Sequence, residues 1–354
     1  MNILQSFIFG EFSKNQPLKI TQSEKIFSNL NKILLLRQDR IGDVIVSIPF
    51  LKILRETLPN TEIHILLGKK NINAEIFINK FCDKIWFYDK NLRNSIKLIK
   101  ALNTEKFDLI IDLFDNASKT SSLFLKMLNS KAKLGIEKEN SKIYSHIVPL
   151  KPQSKVHIVD RILNLTLPFG IKTENQNIKI SIDESIFGKL DVQKNISQKN
   201  NFQKRFGINI SGSTEAKNWG VENYVAYINK LSQIYPEFEI MVFSTKELQE
   251  QQEHICTATK AQAAPITRSL LEFVALIRTC DFMLTPDTSV VHFCDAFSIP
   301  CVALYTVSEN PPKRIPWTPY STEYRAIITD EPLTTIPVEE VLDKTIDLIN
   351  SMNY

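Results

Sequence analysis

The sequence predicts an α/β protein built from two Rossmann-like domains, each a parallel sheet covered by helices on both faces. Three observations lead there. Short apolar runs alternate with amphipathic helical patterns from residue 32 onward, the signature of buried parallel strands joined by helical crossovers. A polar, weakly periodic stretch near residues 171–203 interrupts this alternation, which then begins again. The length, 354 residues, exceeds one ordinary core and suits two.

The first series opens with KILLLR (Lys32–Arg37) as a strand, followed by RQDRIGD and a helical pattern with Ile48, Leu51, Leu54 and Leu58 on one face. Pro49 requires that helix either to start near Ser47 or to bend there. EIHILLG (Glu62–Gly68), KIWFYD (Lys84–Asp89) and DLIIDLF (Asp108–Phe114) are further strands, with helices expected near 73–81, 93–103 and 118–129. These elements define an N-terminal domain over residues 1–170, and residues 171–203 are the expected connection. In the second series, FGINIS (Phe206–Ser211), FEIMVFS (Phe238–Ser244), DFMLTP and PCVALYT (Pro300–Thr306) are strands. VENYVAYINKLSQIY, SLLEFVALIRTC (Ser269–Cys280) and DTSVVHFCDAFS are helices. The second domain then spans residues 204–335. A last helix, within 336–354, is expected to pack back on the N-terminal domain.

Composition narrows the function classes. Net charge is +4, from 43 Lys and Arg against 39 Asp and Glu. That is too mild for a nucleic-acid binder, which shows clustered basic stripes, but it suits an acidic substrate or an anionic surface. The five cysteines (Cys82, Cys256, Cys280, Cys294, Cys301) form no C-x-x-C pair and read as buried free thiols. No apolar run reaches membrane-spanning length. The start, MNILQSFIFGEFSKN, lacks a basic n-region and a cleavage site. It is expected to be a helix on the body of the protein, with membrane contact through Phe7, Phe9 and Phe12 as the alternative.

Three loci combine polar side chains with strand-to-helix junctions, where ligands bind in open α/β sheets. In Arg37–Asp43, Gly42 permits a tight turn and Asp43 sits at the start of the next helix, either as its N-cap or as a general base. In SGSTEAKNW (Ser211–Trp219), Gly212 lets backbone approach a ligand, Ser213 and Thr214 can bond phosphate oxygens, and Lys217 offers a compact charge for a diphosphate. The bland alternative is a loop with a solvated lysine. In LTPDTSVVH (Leu284–His292), Asp287 starts a helix whose N–H groups at Thr288 and Ser289 make an anion site. Asp287 there orients the loop or meets a sugar hydroxyl. His292 is one turn further along the same face, or else a buried structural histidine. Glu247 follows a second-domain strand, and Arg40, Lys69 and Lys70 follow first-domain strands. No D-x-D, no His/Asp/Glu cluster with metal spacing and no G-x-G-x-x-G is present. A metal-held diphosphate and a dinucleotide oxidoreductase are both disfavoured.

These motifs, in order, resemble glycosyltransferase family 9, the lipopolysaccharide heptosyltransferases. ILLLRQDRIGDVIVSIPFLKILRETLPN resembles the family's opening strand, I-G-D turn and helix. FDLIIDLF resembles its F-D-L-x-I-D-L segment, and HIVDR its H-x-V-D-R helix, with His157, Asp160 and Arg161. GSTEAKNW and DTSVVHFCDAFSIPCVALY resemble its lysine–tryptophan and D-T-G-x-x-H motifs. Ser289 stands where the family usually has glycine, and YTVSENPP replaces an F-G-x-T turn. The resemblance implies a GT-B fold with two Rossmann-like domains facing a central cleft, acceptor on the first and donor on the second. It implies an inverting, metal-independent reaction without cofactor. Heptose would move from ADP-L-glycero-β-D-manno-heptose to an inner-core lipopolysaccharide or lipooligosaccharide, at the cytoplasmic face of the inner membrane. Asp43 would be the base. Lys217 and the Thr288 helix end would stabilise the leaving diphosphate, Ser213 would contact the phosphates and Glu247 would hold the ribose. Asp287, Ser289 and His292 would complete the donor site, and Arg40, Lys69 and Lys70 would meet the acidic acceptor. The alternatives are a GT-B transferase for another nucleotide sugar, a non-catalytic nucleotide-sugar or glycolipid binder on the same scaffold, and a GT-B epimerase.

Overall fold

The computed structural model describes residues 16–174, 176–188, 190, 204–308 and 313–353. The expected N-terminal helix with Phe7, Phe9 and Phe12, most of the second half of the connection, and Glu309–Pro312 of the YTVSENPP turn lie outside the described residues. The chain divides into two compact units, Met1–Ile178 and Lys179–Tyr354.

In the first unit, strands β1 (Leu18–Lys19), β2 (Lys32–Leu36), β3 (Glu62–Gly68), β4 (Lys84–Tyr88), β5 (Phe107–Asp112), β6 (Ser130–Ile136) and β7 (His146–Val148) form one sheet in the order β1-β7-β6-β5-β2-β3-β4. All of its pairings are parallel. The central strands are buried from Ile33 onward in β2 and throughout in β5, whose apolar residues are broken only by Asp108 and Asp112, as a sheet covered on both faces requires. Leaving aside the edge strand β1, the order counted from β2 is 3-2-1-4-5-6, with its reversal between β2 and β5. Helices α1 (Ile41–Ile45), α2 (Ile48–Thr57), α3 (Leu92–Thr104), α4 (Lys119–Met127) and α5 (Ile158–Leu163) belong to this unit. Both expected consequences of Pro49 occur together. The helical run breaks at Val46–Ser47, and Pro49 sits in the first turn of α2, where its missing N–H costs nothing. The helix expected over 73–81 is instead a short 3-10 segment, Ile72–Phe77.

In the second unit, β8 (Lys204–Asn209), β9 (Phe238–Phe243), β10 (Gln262–Ala263), β11 (Phe282–Pro286), β12 (Cys301–Thr306) and β13 (Tyr324–Thr329) form an all-parallel sheet ordered β10-β9-β8-β11-β12-β13. This is again 3-2-1-4-5-6, reversing between β8 and β11. Its helices are α6 (Val221–Ile234), α7 (Gln249–Ala258), α8 (Leu270–Ile277), α9 (Ser289–Ala296) and α10 (Val338–Ser351). The expectation for the last helix needs correction, because the apolar face of α10 is buried in the core of the second unit. Val341, Leu342, Leu348 and Ile349 share a cluster with Trp219, Tyr227 and the strands of β8. Thr345 bonds Tyr227 at 2.8 Å, and the Trp219 indole donates to Ile336 O at 3.0 Å, just before the helix.

Candidate active site

At the reversal point of the first sheet, β2 runs directly into Arg37, which is 1% exposed. Its guanidinium donates to Asp43 O at 2.9 Å and to Leu113 O at 3.0 Å, tying the end of β2 to the end of β5. Its second terminal nitrogen lies 3.4 Å from Asp43 Oδ1. Asp43 is not the N-cap, as one sequence-based expectation had it. Arg40 occupies that position, and Asp43, two residues into α1, accepts the Arg40 backbone N–H at 3.2 Å. Gly42 likewise lies within the first helical turn rather than in a tight turn. The Asp43 carboxylate is 6% exposed. Burial pushes its pKa up, against the opposing pull of Arg37, because desolvation penalises the charged form. The result is a fixed carboxylate of raised basicity at the carboxyl edge of a parallel sheet.

Asn71 links the neighbouring loop to this one. Its side chain accepts Gly68 N–H at 2.8 Å and donates to Arg37 O at 2.7 Å. A Cβ on Gly68 would lie 2.7 Å from Gln38 O, so only glycine permits that approach. Lys69 and Lys70 follow directly and are exposed, as is Arg40. The three basic residues assigned to an acidic acceptor therefore flank Asp43 on adjoining loops of one edge.

The reversal point of the second sheet is organised by Asn209, the last residue of β8. Its amide donates to Thr285 Oγ1 at 3.0 Å and Thr288 Oγ1 at 3.3 Å, and its carbonyl oxygen accepts Ser211 N–H at 3.1 Å. The loop then folds back on itself. A Cβ on Gly212 would lie 2.4 Å from Lys217 O, so the loop's own closure requires glycine there. The turn exposes Ser213 and Thr214 and half-buries Lys217. The Lys217 ammonium pairs with Asp287 Oδ2 and lies 3.3 Å from Asp287 O. Two of its three donors are thereby directed at Asp287, leaving the third for another oxygen. Thr288, not Asp287, caps α9, its hydroxyl accepting Val290 N–H at 3.3 Å. The cause is local: Thr288 is extended, which sets its Oγ1 over the helix end, while the lysine draws the Asp287 carboxylate away. Asp287 is thus a positioning group for Lys217. Ser289 is half-buried at the first helical position. His292, one turn into α9, is buried, its ring 6.3 Å from that of Trp317. Glu247 is exposed beyond β9, its pKa lowered by its own backbone N–H and by Thr245.

An all-parallel sheet with a cation and a helix N-terminus at its reversal point has groups able to hold an anion. Residues 95–343 match the model for glycosyltransferase family 9 (heptosyltransferase). The chain belongs to glycosyltransferase family 9. Among relatives, it is 23% identical over 293 residues to the lipopolysaccharide core heptosyltransferase OpsX of Haemophilus influenzae, covering 80% of this chain and 81% of that protein. Among solved structures, a family 9 glycosyltransferase from Veillonella parvula is similar with a TM-score of 0.74 at 18% identity, covering 93% of this chain and 99% of that one. The Escherichia coli heptosyltransferase WaaC with ADP is similar with a TM-score of 0.67 at 13% identity, covering 91% and 98%. This family 9 protein is a glycosyltransferase with a GT-B fold.

Sequence reasoning overlooked Asn71 and Asn209, polar residues closing apolar strands or the loops after them. That abrupt change of character was the available signal. It also found no cluster with metal spacing, whereas Glu62, His64 and Glu105 bring three ligand atoms within 4.8 Å of one another. Spacing hid this because Glu105 comes from a different strand connection. Cations already serve the cluster. Lys32 lies 3.1 Å from Glu62 and 2.6 Å from Glu105, and Lys84 lies 2.6 Å from Glu105. His64 Nδ1 accepts the Trp86 indole N–H at 3.1 Å, so Nε2 carries the proton toward Glu62 at 2.6 Å. The group sits at the amino ends of β2 and β3, the edge opposite Asp43. Its ion pairs tie the connection before β5 to the starts of β2 and β4. Among the described residues, no helix is long and apolar enough to cross a membrane.

Proposed function

We propose that this glycosyltransferase moves heptose from ADP-L-glycero-β-D-manno-heptose to the inner core of lipopolysaccharide or lipooligosaccharide, inverting the anomeric centre without a metal ion. The observation that carries this reading is Asp43, a buried carboxylate of raised pKa held in place by Arg37 and the Arg40 N–H. A sugar hydroxyl is a poor nucleophile until its proton has somewhere to go, and a base tuned upward toward neutral pH accepts it best. In the proposed step, Asp43 takes the acceptor hydroxyl proton and the freed oxygen bonds the anomeric carbon. The bond from that carbon to the ADP oxygen breaks on the opposite face. Lys217 and the N-terminus of α9 receive the charge that builds on the diphosphate, the task a metal performs elsewhere.

The relatives support the substrate class by name, one being a lipopolysaccharide core heptosyltransferase and another a heptosyltransferase solved with ADP. Ser213, Thr214, Ser289 and Thr288 supply hydroxyls around the phosphates, Glu247 is free to meet the ribose, and His292 supports α9 from within. Arg40, Lys69 and Lys70 face the phosphates and carboxylates of a core acceptor presented at the cytoplasmic face of the inner membrane. The test is transfer from ADP-heptose to a heptose-deficient core acceptor in EDTA, followed by mass spectrometry and by NMR of the new linkage. Inverted product formed at an undiminished rate is expected. Activity abolished by EDTA and restored by Mg²⁺ or Mn²⁺ would refute metal independence, and transfer from a different nucleotide sugar alone would refute the donor.

A further inference from the structure

On its solvent side, α3 carries side chains that neither the core nor the reaction uses. Leu92 is 76% exposed and Ile96, one turn further on, is 47% exposed. Ile99 and Leu102, on the other side of the helix, are buried in the core above the sheet. Their spacing sets Leu92 and Ile96 next to each other on the helix surface. Asn103 continues that side and donates to Met127 O at 3.1 Å, at the end of α4, where the Met127 side chain is itself 47% exposed. Apolar side chains exposed singly are ordinary, whereas a gathered set marks a surface that meets something.

Arg93, Lys97 and Lys100 border this ridge and are exposed. At spacings of four and three residues, each is the like-charged neighbour of the next, which costs helix stability unless something offsets it. Nothing in the helix does. LRNSIKLIKALNT holds no acidic residue, and none of the three cations forms an ion pair with a described residue. The carboxylate just before the helix, Asp89, is taken up by the Asn91 backbone N–H at 2.8 Å and the Asn94 amide at 2.6 Å.

We propose that this face of α3 docks the protein on an anionic lipid bilayer. An aliphatic ridge beside a row of unpaired cations is complementary to such a surface, where phosphate headgroups meet acyl chains. A second copy of the chain is a poor occupant, because a two-fold contact would set the same three cations against one another. The place of the helix fits as well. It begins just after β4, and Tyr88 O at the end of that strand accepts Lys69 N–H at 3.1 Å. The leading end of α3 therefore stands at the sheet edge that carries Lys69, Lys70 and Asp43. That last link rests on the lipopolysaccharide reading of the acceptor: a lipid-anchored acceptor is met at the edge where the base stands.

The experiment floats the whole protein with phosphatidylglycerol-containing vesicles and with phosphatidylcholine vesicles, at low and high salt. It is repeated with Arg93→Gln/Lys97→Gln/Lys100→Gln, with Leu92→Ser/Ile96→Ser, and with Lys52→Gln/Lys172→Gln/Lys260→Gln, which removes the same charge from exposed positions elsewhere. Expected is partitioning to the anionic vesicles alone, weakened by salt. The basic variant lowers it at least about tenfold and the aliphatic variant at least about threefold, while the control variant stays near the parent. No binding to either vesicle, binding unchanged in both α3 variants, or an equal loss in the control variant overturns the proposal. So does a concentration-dependent dimer in sedimentation that the α3 substitutions abolish, which would make a second copy the occupant. Transfer to a delipidated, soluble core acceptor should be the same in the parent and the α3 variants. That assay tests the heptosyl-transfer reading by itself, so either idea can fail while the other stands.

Discussion

The two units use the same backbone device for opposite electrostatic ends. Each sheet is ordered 3-2-1-4-5-6, and each places its polar residues where the order reverses, after β2 and β5 in one and after β8 and β11 in the other. In the first unit a nearly inaccessible arginine holds a nearly inaccessible carboxylate, and burial wins over the ion pair in setting that carboxylate's pKa. In the second unit a half-buried lysine pairs with a half-buried aspartate above a helix end. One site presents a carboxylate nearly removed from solvent, whereas the other presents a partly buried ammonium beside a helix end. A parallel sheet with a reversal supplies a place for chemistry, and the solvation of two or three side chains decides which chemistry it is.

The sharpest way to break that comparison is Asp43→Asn, which keeps the shape and an oxygen for the Arg40 N–H but removes the basicity. A positioned base contributes about 10²–10⁴-fold, so transfer falls by that factor while ADP affinity stays near the parent's. Stability responds differently. A carboxyl whose folded pKa lies above its unfolded value adds stability only at low pH and loses it as pH rises through the folded pKa. Asparagine removes the cost of burying that charge but also the counter-charge beside the buried Arg37 guanidinium, so the two effects oppose and the melting temperature should change far less than the transfer rate. In the parent, kcat/KM should climb with pH along a limb set above the ordinary carboxylate range. A variant with near-normal turnover, or a limb at the ordinary carboxylate pKa, would break the assignment.

A second test separates charges that build the sheets from charges that act. Arg205 and Glu239, 1% and 3% exposed at the amino edge of the second sheet, pair at 2.7 Å. Glu239→Ala takes away the carboxylate and leaves a buried guanidinium beside Thr279, which should cost about 3–5 kcal/mol. Chemical denaturation reads that loss, and ADP binding measured below the transition should not change. Lys217→Ala reverses the pattern. The pair it breaks is only partly buried, with side chains 15% and 31% exposed, so its loss costs less than that of the Arg205–Glu239 pair, while losing the charge on the leaving diphosphate should cost about 3 kcal/mol, roughly a hundredfold in rate. ADP affinity should fall with it. Turnover and ADP affinity equal to the parent's would return Lys217 to the status of a solvated loop residue.

How much of this was legible in the sequence depends on what sets each element. Central strands such as Ile33–Leu36 and Phe238–Phe243 are apolar nearly throughout, and their runs reveal them. Edge and edge-proximal strands do not. SKAKLGI alternates lysine with small residues because only its second half is buried, and YRAIIT carries a salt-bridged arginine on the outermost strand. The loci at Asp43, Lys217 and Thr288 were visible because polar residues follow apolar strands. Their partners were not. Arg37 with Leu113, Asn209 with Thr288, and Lys217 with Asp287 lie 70 or more residues apart and meet only once the reversal of strand order brings their loops together. The destination of α10 was missed for the same reason, since an amphipathic face shows that a helix packs and not on which core.

The smallest expected effect, at Thr288, tests whether the helix end of the second unit is an anion site or only a well-capped helix. Its hydroxyl accepts the Val290 N–H at 3.3 Å and the Asn209 amide at 3.3 Å. Thr288→Ala removes the cap and should cost about 1 kcal/mol of stability. Both readings predict that loss, so melting alone decides nothing. Thr288→Ser keeps the oxygen and drops only a methyl group, so it should restore most of the stability under either reading. ADP affinity separates them. If the α9 N-terminus and its hydroxyl face the diphosphate, alanine weakens ADP binding by about tenfold or more and serine restores it, because a lost hydrogen bond to a charged group costs about 1.5–3 kcal/mol. If Thr288 serves the helix alone, ADP affinity is the same in parent, alanine and serine variants below the melting transition. The anion role would then rest on Lys217 alone, and the contrast between the two sites would reduce to a contrast between one carboxylate and one ammonium.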